Sequence, residues 1–135
     1  MRTQTADLQV GDERSLVLTE DLTRTQIVQY AGASGDYNPL HTDEVFTRDI
    51  AGYPGVFAHG MLTMGMTGRV LTDWVGDGRL TRFGVRFVNQ VWPGDRLVAT
   101  ATVTAIVGDV VEFEVVTVNQ DGVPVVTGSA AADLA

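Results

Sequence analysis

The stretch 57–75, FAHGMLTMGMTGRVLTDWV, carries only three ionisable side chains, His59, Arg69 and Asp73. Read as a helix, it is apolar on nearly every side, the pattern of a helix buried in a core. Gly60, Gly65 and Gly68 each cost a helix interior about 1 kcal/mol relative to alanine. Close approach of a sheet or a second subunit would justify that loss. Gly76-Asp77-Gly78 ends the helix.

Working outward, the sequence after this helix supplies strands to cover it. Arg82–Val91 begins the series and Pro93-Gly94-Asp95 turns it. Leu97, Ala99, Ala101, Val103 and Ala105 alternate with Val98, Thr100, Thr102 and Thr104, the period of a half-buried strand. Gly108-Asp109 breaks the pattern. Val111, Phe113 and Val115 then alternate with Glu112 and Glu114. Asn119–Gly122 reads as a hairpin turn, and Val123–Ala131 closes the sheet. Pro124 sits near the start of that strand, where a missing N–H is tolerated.

Before the buried helix the chain is helical and loop-rich. Arg14–Leu18 is a short first strand. Thr23 and Gln26 form a capping box, and Ile27, Tyr30 and Ala31 follow at helical spacing until Gly32 and Gly35. Pro39 forces Asn38 out of the helical region, which predicts an extended, stiff loop leading to His41. Thr42-Asp43-Glu44 starts another short helix that ends near Asp49, before a turn at 51–55. The expectation is one α+β domain over 1–135, with about five antiparallel strands wrapped around one long helix. One sheet edge stays open in that arrangement, so a dimer is expected.

Composition narrows the chemistry. The 135 residues are 44% hydrophobic and 19% charged, ordinary for a single globular domain. No apolar run approaches the roughly 18 residues of a membrane span, and 1–15 holds no signal-like stretch. A cytoplasmic protein without membrane contact is expected. The absence of cysteine removes disulfides, thiolate zinc sites and cysteine nucleophiles. Two histidines cannot make a His₃ metal site, and a chain whose nine basic residues are all arginine has no lysine for Schiff-base chemistry. A net charge of −8 without a basic run makes nucleic acid a poor partner. Arg69, Arg79, Arg82, Arg86 and Arg96 nevertheless gather against only Asp73, Asp77 and Asp95. That excess could receive a polyanionic small molecule or simply solvate the surface.

The segment Gly35-Asp36-Tyr37-Asn38-Pro39-Leu40-His41 sets a carboxylate and an imidazole five residues apart. Such a pair can hold and deprotonate a water, or return a proton. Alternatively, Asp36 caps a turn and His41 packs. Asn38 could orient the pair or shape the turn.

GDYNPLH, preceded by Tyr30 and Ser34, resembles the hydratase-2 motif of the MaoC-like (R)-specific enoyl-CoA hydratases. Phe57-Ala58-His59-Gly60-Met61-Leu62 resembles that family's central-helix start, and Val85-Arg86-Phe87 with Pro93-Gly94-Asp95 its strand-and-turn element. The AHGMLTMG run (58–65) is similar to type B subunits of mycobacterial (3R)-hydroxyacyl-ACP dehydratases. Ala33 and Thr47 depart from the pattern at peripheral positions.

The resemblance implies a hot-dog fold and reversible hydration of trans-2-enoyl thioesters to (3R)-3-hydroxyacyl thioesters, with no cofactor and no metal. It makes Asp36 and His41 the catalytic dyad and Gly60 the backbone N–H donor to the thioester oxygen. Losing such a donor typically costs about 2.7–4 kcal/mol of transition-state stabilisation. His59 is expected to cap or pack at the helix start. Asn38, Met61, Arg86 and Arg96 are candidate substrate contacts, the arginines for the phosphates of CoA or of an acyl carrier protein. Met61, Met64 and Met66 line an acyl tunnel or form core, and Trp74 and Trp92 anchor core or interface. The implied partner is a second copy or a non-catalytic hot-dog subunit. A thioesterase or thioester-binding protein is the alternative, because one fold hosts many activities.

Overall fold

A computed structural model describes residues 2–135. Strand β1 (Glu13–Thr19) precedes helix α1 (Arg24–Ser34), the single turn α2 (Pro39–Thr42), a π-helical turn at Phe46–Ile50 and helix α3 (Gly60–Val75). Strands β2 (Leu80–Phe87), β3 (Leu97–Val107), β4 (Val110–Val118) and β5 (Pro124–Asp133) follow. They form one antiparallel sheet in the order β1-β3-β4-β5-β2. This is the α+β hot-dog architecture expected from sequence, with α3 packed on one face of the sheet. No helix among the described residues is long and apolar enough to cross a membrane.

The core joins Val70, Leu71, Trp74 and Val75 of α3 to Leu97, Ala99, Val103, Val111, Phe113 and Val115 of the sheet. Trp74 packs edge-on to Phe113 at 5.4 Å. Small residues on β3 and β5, among them Ala101, Ala130 and Ala132, bring the helix down onto the strands. Two of its glycines serve the same purpose: a Cβ on Gly60 would stand 3.2 Å from the Phe87 ring, and one on Gly68 3.3 Å from Phe83. No atom outside the helix comes near Gly65.

Several boundaries differ from the sequence reading. Helix α3 starts at Gly60, not Phe57, because 57–59 run extended and Ala58 N–H bonds the Val91 carbonyl instead. It is not buried all round: Met61, Gly65, Arg69 and Asp73 form an exposed stripe. Helix α1 runs through Gly32 and stops at Gly35, which adopts φ 74° as its C-cap. Its capping box forms as expected, Gln26 N–H donating to the Thr23 hydroxyl at 3.1 Å. Residues 39–42 coil into one helical turn with Pro39 at its first position, while Asn38 keeps extended geometry. The helix expected at 42–49 becomes a π-helical turn whose entry Asp43 caps through Phe46 N–H.

In β3 the alternation fails at Ala105. A bulge at Thr104 lets Val103 pair with Phe113 but Ala105 with Glu112, so Ile106 turns to the core in its place. Strand β2 ends at Phe87, and 88–91 form a connection.

The turn after it is a structural knot. Gly94 takes φ 94°, and the buried Asp95 carboxylate accepts from Trp92 N–H at 2.9 Å and the Gln120 amide at 3.0 Å. Arg79 is buried and donates to the carbonyls of Thr3, Val75 and Leu134, so it seals the end of α3 and is no part of an exposed basic patch.

Candidate active site

Gly35 ends α1 in the left-handed region and releases the chain into 36–38. This loop organises itself locally. Asp36 N–H donates to the Ser34 hydroxyl, Asn38 N–H to the Asp36 carboxylate and Leu40 N–H to the Asn38 side chain, at 3.0–3.2 Å. Asn38 therefore caps α2 and shapes the turn. Asp36 is exposed and His41 half-buried.

Turn α2 lifts His41 toward 57–59. Its Nδ1 lies 2.6 Å from the carbonyl oxygen of Phe57. A carbonyl can only accept, so His41 carries its proton on Nδ1 and its other ring nitrogen is free to accept one. Burial pushes the His41 pKa below the ordinary histidine value; the nearby His59 acts the same way, and the Phe57 bond and Asp36 oppose it. The neutral imidazole is thus the form held at neutral pH.

His59 lies at the N-cap of α3 but caps nothing with its side chain. It is buried, its ring stacked on His41 with centroids 3.9 Å apart, and Tyr30 packs edge-on to it at 4.8 Å. Its Nε2 donates to the main-chain carbonyl of Asp36 at 3.0 Å, and its Nδ1 is buried without a partner. The sequence reading expected packing or capping; the structure shows packing, plus a bond to the Asp36 main chain that nothing local could reveal.

One polar atom from each of Asp36, His41 and His59 lies within 4.8 Å of the other two. One water can span such a gap with hydrogen bonds of about 2.8 Å to each side. A shared metal ion fits less well. Ligand lone pairs lie in the ring planes, and the two imidazole planes are inclined by only 27°, so they do not meet at bonding distance.

Gly60 is the first residue of α3. Leu62 and Thr63 N–H reach the His59 carbonyl, whereas Gly60 N–H has no acceptor among the described residues. A free N–H at a helix start, reinforced by the positive end of the helix dipole, suits an oxygen that gains negative charge. Gly60 borders a cavity of about 280 Å³ shared with Phe57, Ala58, Thr63, Phe87 and Val91. Asp36 and His41 do not line this cavity; Phe57 connects the two, with its carbonyl on His41 and its ring against Tyr53 and Trp92.

The remaining candidates lie apart from this cavity. Met61 is exposed beside Gly60 and belongs to no core, while Met66 packs on the core. Arg86 borders a second cavity of about 580 Å³ on the outer face of the sheet, which shares no lining residue with the first. Arg96 pairs with Glu20 at 2.8 Å. Phe87, which covers Gly60, entered the sequence reading only as part of the strand-and-turn element; its place opposite a helix glycine depends on the sheet.

A family model described as "MaoC like domain" matches residues 5–123. The chain is 42% identical over 67 residues to 3-hydroxyacyl-thioester dehydratase Y of Mycobacterium tuberculosis. It is 31% identical over 94 residues to the peroxisomal enoyl-CoA hydratase 2 of Arabidopsis thaliana. These matches cover 47% and 67% of the chain but only 23% and 30% of those proteins. Among solved structures, it resembles unliganded R-hydratase PhaJ1 from Pseudomonas aeruginosa with a TM-score of 0.87 at 25% identity, covering 97% of this chain and 84% of that one. The ChsH1–ChsH2 complex of Mycobacterium tuberculosis matches with a TM-score of 0.81 at 26% identity, covering 94% and 98%. With most of its length matched by that model and its fold shared with those structures, the chain belongs to the MaoC-like domain family.

Proposed function

We propose that this domain hydrates trans-2-enoyl thioesters reversibly to (3R)-3-hydroxyacyl thioesters, through Asp36, His41 and Gly60. The observation that carries the reading is His41 locked onto Phe57 through Nδ1, with one polar atom each of His41 and Asp36 within 4.8 Å of one another. In hydration the pair holds a water and takes one of its protons. The water oxygen bonds Cβ, the C=C electrons shift, and the thioester oxygen gains the charge of an enolate. Gly60 N–H is the donor for that oxygen. The proton then returns from the pair to Cα, the enolate collapses and the side chains regain their starting state. Water is the only co-reactant, so no cofactor is needed. The reading is of a cytoplasmic enzyme acting on acyl-CoA or acyl-carrier thioesters.

The test is hydration of crotonyl-CoA by the purified protein, followed as loss of the conjugated thioester absorbance. Asp36→Asn and His41→Gln should each lower kcat by about 10²-fold or more, the scale of general acid–base catalysis. Full activity in either variant refutes the assignment. Thiol release without hydration would identify a thioesterase instead.

A further inference from the structure

We propose that His59 is a positioning residue of this site: its bond to the Asp36 main chain and its stacking on His41 set where both stand relative to the start of α3. The inference rests on the hydratase reading. Every other hydrogen bond found for residues 35–38 is local, reaching no further than Ala31 on one side or His41 on the other. The His59 Nε2–H to the Asp36 carbonyl is the one bond tying that exposed loop to a distant part of the chain among the described residues. Without it, the Asp36 carboxylate is held only by a loop open to solvent.

Phe57 and His59, just before α3, and Gly60, its first residue, thus place the whole constellation. The Phe57 carbonyl fixes the His41 ring, His59 fixes the Asp36 main chain and covers one face of the same ring, and Gly60 follows with its free N–H. Because 57–60 is one short segment, the spacing between water-holding side chains and the N–H is set by a few rigid bonds. His59 itself is buried at 1% exposure, stacked on His41 and in T-shaped contact with Tyr30. It is therefore read as acting through its neighbours and not on the reacting atoms.

Two variants separate the tether from the bulk. His59→Gln keeps an N–H near the Nε2 place; His59→Phe keeps a flat ring and removes the donor. His59→Phe is expected to lose about 30-fold in kcat with KM within about twofold, the size of effect that small misplacement of catalytic groups produces. His59→Gln should stay within about fivefold of the parent. Backbone ¹⁵N relaxation gives a readout that needs no turnover: order parameters at 35–38 should fall in His59→Phe and hold in His59→Gln. If His59→Phe does not fold, His59→Met, which also lacks a donor, replaces it. Unchanged kcat and order parameters in the donor-less variant overturn the proposal, as does a Gln variant as impaired as the Phe one. A parent protein inactive on enoyl thioesters would refute the hydratase reading, whereas the relaxation data would still judge the tether.

Discussion

On the proposed reading, His41 and Gly60 divide the work between a titrating group and a fixed dipole, and each makes a separate prediction. Burial holds the His41 pKa below its ordinary value. A base that must be neutral therefore stays competent to lower pH than a free histidine. The acid limb of kcat/KM is expected below the unperturbed value of about 6.5; a midpoint at or above it contradicts the neutral-imidazole assignment. The same shift makes His41 a pH-dependent contributor to stability. Its contribution is fully present above the unfolded pKa and is lost as pH falls from there through the folded one, because only the unfolded chain binds the proton in that window. Gly60 has no unusual φ, so Gly60→Ala meets only the half-exposed Phe87 ring, which can move. Stability should change by less than about 1 kcal/mol. The new methyl stands against Phe87, which lines the same cavity as Gly60, so hydration should fall about 10-fold or more. Thermal melting and the crotonyl-CoA assay together check this; because alanine keeps the N–H, a fully active Gly60→Ala would show that substrate does not need the space the methyl fills.

At the scale of elements, β2 and β5 cross closely where Gly128 faces Val85. A Cβ on Gly128 would collide with the Gly84 carbonyl and approach Val85 Cα to 2.8 Å. Both are backbone atoms of a paired strand and cannot swing aside. Gly128→Ala should cost about 3 kcal/mol, the upper end of overpacking penalties, read as a shift in the urea midpoint. A neutral result would mean that β2 can slide away from β5. This glycine was not legible in the sequence, where it sat among small residues of an ordinary strand. The capping box at Thr23 and the non-helical Asn38 before Pro39 were legible, because the groups that meet there are within a few residues; the helical turn at 39–42 was not. The bulge at Thr104 was not, because it exists only relative to β4.

Across the whole molecule, the sheet order leaves two edge strands, β1 and β2, not the one open edge expected, with Phe87 and Val88 exposed at the end of β2. Edges of this kind are covered or paired. The expected state of the purified chain is a dimer, measured as twice the chain mass by sedimentation velocity. An inactive monomer that gains activity with a second hot-dog subunit would instead place it in a heterodimer. The arginines show why surface charge was the hardest property to read. One seals a helix end, Arg82 and Arg96 pair with Glu112 and Glu20, and Arg86 lies on the outer face. A run of like charges in sequence is divided among faces once the strands alternate.

The sequence by itself determined the fold class, the buried helix with its sheet, and the nomination of Asp36, His41 and Gly60. Those features are written in periodicity, in turn residues and in short motifs, all of which act over a few residues. Tertiary structure alone decided that Phe57 holds the proton of His41, that His59 reaches the Asp36 carbonyl, and that Phe87 lies over Gly60. Each of these joins groups 16 to 27 residues apart through a backbone carbonyl or a close approach. Every residue offers the same carbonyl, so only folding selects which one is used.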